Sequence, residues 1–249
     1  MWDDARQLNA TAATLAAMAL CALVYAAGAW LVRQPAFAFR EVVVVTPLSR
    51  TNAAYLEGVL RSELAGTFFT LDLNGARASL ASVPWVRNAG LRREWPHRLT
   101  VEIEEHVPLA RWNDNALVND RGEVFTASYH GELPQFHGPD GTAAAMTARY
   151  REWTRTLAPI DLTVRELTLT PRGSWAIAGR TPQGSLEIAL GRDDTDERLA
   201  RLVVAYPRTL GPLARAGKPV ARVDLRYRNG FAARLADAGA RRTRPGESG

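Results

Sequence analysis

Four histidines, His97, His106, His130 and His137, are the first candidates for ligands or bases. None falls in a spacing such as H-E-x-x-H, which sets two imidazoles on one helix face. His130 and His137 flank Gly131 and Pro134 and read as a loop. The run Asp193-Asp194-Thr195-Asp196-Glu197 has the charge for a cation but not the alternating ligand spacing of a calcium loop. Acids at a helix start interact favourably with its positive end, so the run predicts a helix capped by Asp194 or Thr195. Glu102 and Glu104 share a strand face beside Glu105, and paired carboxylates could do acid–base work. That face more simply meets solvent, or pairs with Arg92 and Arg93 on a neighbouring strand. Ser185 lacks the second glycine of a nucleophile elbow, and no phosphate loop occurs. The one cysteine, Cys21, lies in an apolar run, so the rest of the chain has no disulfide and no thiol nucleophile. No catalytic, metal or cofactor site is expected, and the chemistry left is recognition.

One stretch carries recognition chemistry in its backbone. Val223, Leu225 and Tyr227 alternate with Asp224, Arg226 and Arg228. Asn229-Gly230 is a hairpin signal, and Phe231–Leu235 reads as the return strand. A short final strand is a candidate sheet edge, whose N–H and C=O groups pair with a partner's strand. The alternative, a tail or helix covering it, stays open. The alternation turns Phe231, Ala233 and Leu235 inward and Ala232 and Arg234 outward.

These residues follow a long apolar run near the start of the chain. Residues 7–32 carry no charge and are long enough, at about 1.5 Å per residue, to cross a core of about 30 Å. A membrane anchor is favoured over a cleaved signal peptide, whose core runs about 7–15 residues, and over a buried core helix. Arg6 against Asp3 and Asp4 on one flank, and Arg33 and Arg40 on the other, do not choose an orientation.

After the anchor, residues 37–46 form a strand whose Val42-Val43-Val44-Val45 run suggests burial on both faces or a central place. Leu56, Val59, Leu60 and Leu64 mark a helical face, and Leu73, Ala76, Leu80 and Val83 a second. Residues 85–94 and 98–107 are strands, the latter alternating Leu99, Val101 and Ile103 with polar residues. Trp85, behind Pro84, is expected to pack against the second helix. The β-α-α-β-β order over residues 37–107 predicts a small α+β layer pair. From 108 to 236 the pattern turns to short strands. They lie at 110–112, 116–118 and 123–125, then around Leu167, Ile177, Ile188 and Val223. Two helices accompany them, 142–157 and one from about Thr195. Residues 237–249 are polar and read as a disordered tail.

The basic excess of +5 is almost all arginine, with Lys218 the only lysine. The arginines are scattered rather than striped with aromatics, so nucleic acid is not expected as a partner, nor is a small-molecule substrate.

Several stretches together resemble the FtsQ/DivIB family of bacterial cell-division proteins. The most specific is Leu80-x-x-Val83-Pro84-Trp85-Val86 leading into Arg92-Arg93-x-Trp95-Pro96-x-x-Leu99. Supporting it are Phe39-Arg40-Glu41-Val42, Phe69-x-Leu71-Asp72, Glu105-His106-x-Pro108-x-Ala110-x-Trp112, Asp120-x-Gly122-x-Val124-Phe125, Arg198-Leu199-Ala200-Arg201 and Val223-Asp224-Leu225-Arg226-Tyr227. The resemblance implies an α+β protein with one transmembrane helix (7–32) after a short cytoplasmic segment (1–6). A POTRA domain (37–107) and a mostly antiparallel β-domain with two flanking helices (108–236) follow. It implies a non-enzymatic scaffold of the divisome in the inner membrane at the septum, the bulk of the chain periplasmic. The implied partners are the coiled-coil proteins FtsB and FtsL, with other division proteins on the POTRA side. Arg226, Tyr227, Asn229, Gly230, Phe231, Ala232, Ala233, Arg234 and Leu235 would form the pairing region, and Arg172 would approach acidic partner residues. Two other classes compete. A cell-wall enzyme carrying a POTRA module needs a nucleophile or metal set that is not found. An outer-membrane assembly factor needs a barrel for which too little chain remains.

Overall fold

A computed structural model describes residues 5–63, 66–227 and 230–236. Leu64, Arg228, Asn229 and the tail 237–249 lie outside the described residues. The chain divides after His106 into two compact units.

The first unit begins with helix α1, Ala5–Val32. Its segment Asn9–Val32 has a mean hydropathy of 2.1, and none of its most apolar window is buried in the protein. That exposure overturns the core-helix alternative, because a core helix hides its apolar face. Among the described residues it is the one helix long and apolar enough to cross a membrane. Strand β1, Glu41–Val44, follows. Helix α2, Ala53–Glu63, starts where Asn52 Oδ1 accepts from the N–H groups of Ala54 and Tyr55 at 3.0 and 3.3 Å. Helix α3, Leu73–Ala81, is capped by Asp72, which accepts from Asn74 N. Strands β2, Val86–Glu94, and β3, Arg98–Glu105, complete the unit.

The sheet order is β1-β3-β2, with β1 parallel to β3 and β2 antiparallel to it. Leu56 and Leu60 of α2, and Ala76 and Leu80 of α3, close over Leu99, Val101 and Ile103. The valine-rich β1 is therefore an edge strand, half-buried, and not central or buried on both faces. The expected Glu–Arg pairing also differs. A register shift at Arg87 places Gly90 opposite Glu102 and Thr100 opposite Arg92. Arg87, not Arg92 or Arg93, meets Glu104 at 2.7 Å. Trp85 is not in the core. Val83 and Val86 fill that space, and Trp85 takes a left-handed φ of 74°. Its half-exposed ring sits under the Arg50 guanidinium at 5.4 Å.

Glu105 ends β3 with a structural task. Its carboxylate accepts from Ser49 N and Oγ, Arg50 N and Thr51 N. Partial burial alone would raise its pKa. The hydrogen bonds from Ser49, Thr51 and the Arg50 backbone outweigh burial and hold it at about 2.

The second unit holds strands β4, Pro108–Trp112; β5, Ala116–Asn119; β6, Val124–Phe125; and β7, Gln135–His137. Helix α4, Ala143–Leu157, leads to β8, Thr163–Leu169; β9, Trp175–Thr181; and β10, Gly184–Gly191. Helices α5, Thr195–Ala205, and α6, Leu210–Arg215, then precede β11, Val220–Asp224, and β12, Ala232–Leu235. They form one nine-stranded sheet, β12-β11-β10-β9-β8-β7-β4-β5-β6. It is mostly antiparallel; β10 with β11, β7 with β8 and β4 with β7 run parallel. Two elements go beyond the expectation. The third helix, α6, contains Gly211 and Pro212, which hide it from periodicity. The segment with His137, read as loop, is the three-residue β7, whose Phe136 is fully buried.

Met146, Trp153 and Leu157 of α4 and Leu199 and Leu202 of α5 pack on Phe136, Leu167, Ile177 and Ile188. The Trp153 indole donates to Asp196 Oδ1 at 2.7 Å, and Arg149 pairs with the same carboxylate. Asp196 thus joins α5 to α4 besides sitting in the first turn. Asp194 occupies the cap position with a left-handed φ of 54°, without a side-chain capping bond.

A candidate partner edge

Strand β12 is the terminal strand of the sheet and, among the described residues, pairs only with β11. Its register sets Asp224 opposite Ala232, Val223 opposite Ala233, Arg222 opposite Arg234 and Val220 opposite Leu235, with Ala221 bulged out of β11. Just past its end, Ala236 N donates to Pro219 O at 2.8 Å. Backbone groups alternate in direction along a strand. With Ala236 turned towards β11, Arg234 and Ala232 also face β11, and Ala233 and Leu235 direct N–H and C=O to the open edge.

The strand differs from its expected form. β11 ends at Asp224 and β12 begins at Ala232, so Phe231 precedes β12; the expected Asn229-Gly230 turn falls on Asn229, outside the described residues. The side chains of Ala232, Ala233, Arg234 and Leu235 are all exposed, so Ala233 and Leu235 do not face a core. Phe231 does pack against the core, beside Leu225. Tyr227, expected in the strand alternation, lies beyond its end and is exposed.

Phe231 and Gly230 also line a groove of about 220 Å³, closed on the other side by Arg198, Arg201, Leu202 and Ala205 of α5 and by Leu225. Helix α5 is thus a wall beside the start of β12.

Basic residues collect at this end of the sheet. β10 and β11 run parallel and finish together at Gly191 and Asp224. Gly191 pairs with Trp175, the first residue of β9, so the β8–β9 turn carrying Arg172 lies at the same end. The left-handed Gly191, φ 83°, is closely covered. A Cβ there would come within 2.9 Å of Arg198 Nη1 and 3.2 Å of Arg226 Cγ. Arg198 Nη1 donates to Leu190 O at 2.7 Å, and Arg226 forms a two-point pair with Asp224 at 2.6 and 2.9 Å. The hydrogen bond from Arg226 is the main reason Asp224 stays below the usual carboxylate range, against some burial. The Arg192 side chain lies beside Gly173.

The structure therefore brings Arg226, Gly230, Phe231 and Ala232–Leu235 together along one edge, with Arg172 exposed in a turn at the same end. Asn229 lies outside the described residues. Arg192, Arg198 and Arg201 are additions that sequence reading missed as site residues. The only signal was the i, i+3 arginine pair of α5, which lies 19 residues or more from β11 in sequence. Among the described residues, no group of three His, Cys, Asp or Glu side chains is placed to hold a metal.

An apolar helix long enough to cross a membrane, a small β-α-α-β-β unit and a larger sheet with an open terminal strand define the class of architecture. The comparisons specify the family. Residues 37–106 match the POTRA domain of FtsQ type, and residues 110–226 match the C-terminal region of cell division protein FtsQ/DivIB. The chain is 40% identical to cell division protein FtsQ of Burkholderia pseudomallei over 95% of each chain. It is 40% identical to that of Bordetella pertussis, over 95% of this chain and 93% of the other. With the Escherichia coli protein of the same name it shares 36% identity over 67% of this chain and 61% of that one. The chain belongs to the FtsQ family of cell division proteins.

Proposed function

We propose that this cell-division protein is a non-enzymatic single-pass scaffold that captures FtsB and FtsL on its β-sheet unit and links early to late division proteins. In this reading residues 1–6 are cytoplasmic and 7–32 cross the inner membrane. Residues 37–107 and 108–236 act as periplasmic POTRA and β-domains at the septum, with 237–249 a tail. Other divisome proteins are assigned to the POTRA side.

The observation that carries the reading is the outward backbone of Ala233 and Leu235 on a terminal strand whose outer side has no neighbour among the described residues. A partner strand there gains main-chain hydrogen bonds without needing particular side chains. The groove beside α5 accepts an apolar side chain preceding or following that strand, and Arg172, Arg192 and Arg198 favour an acidic partner segment.

A photo-crosslinking residue at Ala233 in the full chain tests this in dividing cells. Covalent products with FtsB are expected from Ala233 and not from the exposed Tyr55 on α2. Products from Tyr55 with none from Ala233 would move the recognition surface to the POTRA unit.

A further inference from the structure

A second exposed surface lies on the first unit. Phe37, Phe68, Phe69 and Trp95 form one aromatic cluster. Phe37 and Phe69 meet edge-on at 5.2 Å, Phe68 and Trp95 edge-on at 5.4 Å, and Phe37 and Trp95 lie 6.3 Å apart. Aromatic clusters of this kind usually close over a core. Here Trp95 remains 65% exposed and Phe69 48% exposed. Contiguous exposed apolar side chains mark a surface that is covered by something else.

The cluster is fixed to the end of α1. Thr67 Oγ1 donates to the carbonyl of Val32, the last residue of the helix, at 2.6 Å. Thr67 also bridges to Ala38, and Phe68 N donates to Phe37 O at 2.7 Å. The apolar segment Asn9–Val32 is about 36 Å long at about 1.5 Å per residue, a little more than a core of about 30 Å. Its end therefore lies at the edge of the hydrocarbon. The headgroup layer extends about 5–7 Å further on each side. Residues hydrogen-bonded to Val32 fall in or beside that layer.

That layer favours tryptophan and other aromatic rings, which combine an apolar body with edges that tolerate water. Two exposed arginines, Arg33 and Arg40, flank Phe37 in sequence, and guanidinium groups bind phosphate with two parallel hydrogen bonds. Trp95 itself stands in the β2–β3 turn, more than fifty residues from Phe37. The fold, not chain continuity, brings it to the helix end.

We infer that Phe37, Phe69 and Trp95 seat the POTRA unit on the lipid headgroup layer of the membrane that α1 crosses. The seat limits the orientations of this unit to those that keep the aromatic face down. The inference rests on α1 being a retained membrane span and goes beyond partner capture by β12.

The test uses the full chain in phosphatidylcholine–phosphatidylglycerol vesicles. Emission from Trp95 is obtained as the difference between the parent and Trp95→Phe. Lipids brominated near the headgroup end of their chains should quench that difference signal, and iodide in the aqueous phase should not. Phe69→Glu, at an exposed position, should leave the thermal transition unchanged and expose Trp95 to iodide. Quenching of Trp95 by iodide in the parent would overturn the inference. Protection from iodide without quenching by brominated lipid would also overturn it, since a second copy of the chain would then cover the ring. Release of the protein by carbonate would instead refute the anchor reading on which the seat depends.

Discussion

Proline at two adjacent positions of β12 separates the strand's own pairing from its capacity to pair with a partner. Proline has no N–H and its ring occupies the space where a facing carbonyl would sit. Ala233 directs its N–H and C=O outward, so Ala233→Pro removes one hydrogen bond to a partner strand and disturbs the second. At about 0.5–1.5 kcal/mol net each, the loss is about 1–3 kcal/mol, or about 5- to 150-fold in Kd. The native edge bonds between β11 and β12 use Ala232 and Arg234 and should remain, so the thermal transition of the sheet unit should not move. Ala232 faces Asp224 across the ladder. Ala232→Pro should therefore weaken β12 itself and lower both stability and capture. Ala233→Ser should do neither. The assay is titration of a partner segment against the full-length chain in detergent, with thermal unfolding in parallel. If Ala233→Pro binds as tightly as the parent while β12 stays in place, strand addition at this edge is wrong.

Three further outcomes follow from the same geometry. Glu105 is held at about 2 against an ordinary 4.5. That lowering would be worth about 3 kcal/mol if fully realised, and partial exposure reduces this to about 1–2 kcal/mol. Because the folded pKa is the lower one, that stability is complete above about pH 4.5 and is lost as pH falls towards 2. The denaturation gap between parent and Glu105→Gln should therefore close over that range; a gap unchanged from pH 7 to pH 2.5 would refute the latch. Gly122→Ala should destabilise the sheet unit by at least about 1–3 kcal/mol in chemical denaturation. Its φ is 82° and a Cβ would lie 2.5 Å from Ala144 Cα at the start of α4. Arg172→Glu should weaken capture of an acidic partner at low salt and lose most of that effect at high salt, measured by titration across ionic strength.

The first unit was largely legible because its signals are local. The leucines of α2 and α3 repeat at helical spacing, and Leu99, Val101 and Ile103 alternate over a full strand. Trp85 misled because residue type was used where backbone geometry decides. A left-handed φ swings its side chain out, and two small valines take the core positions. The pairing of Glu104 with Arg87 depended on a bulge, which no periodicity reveals. In the second unit the long strands β8, β9 and β10 were readable and β7 was not, since three residues between Pro134 and Gly138 leave nothing to alternate. The edge was foreseen because Phe231–Leu235 reads as the last strand of the pattern. Its inward and outward positions were not, because Phe231 suggested a facing pattern that belongs to the loop before the strand. The arginines from the β8–β9 turn, β10, α5 and β11 converge only through the strand order.

The short β7 also has a mechanical consequence. It joins β4–β6 to β8–β12 through two pairings on one side, Arg111 with Gln135 and Trp112 with Phe136, and three on the other. In the proposed arrangement, a pull between α1 and a partner at β12 runs along the chain into β4 and across the sheet. It must therefore pass this seam or the packing of α4 over it. The sheet is thus two wider portions joined at a narrow seam, and how α4 covers that seam bears on how firmly the two portions hold together.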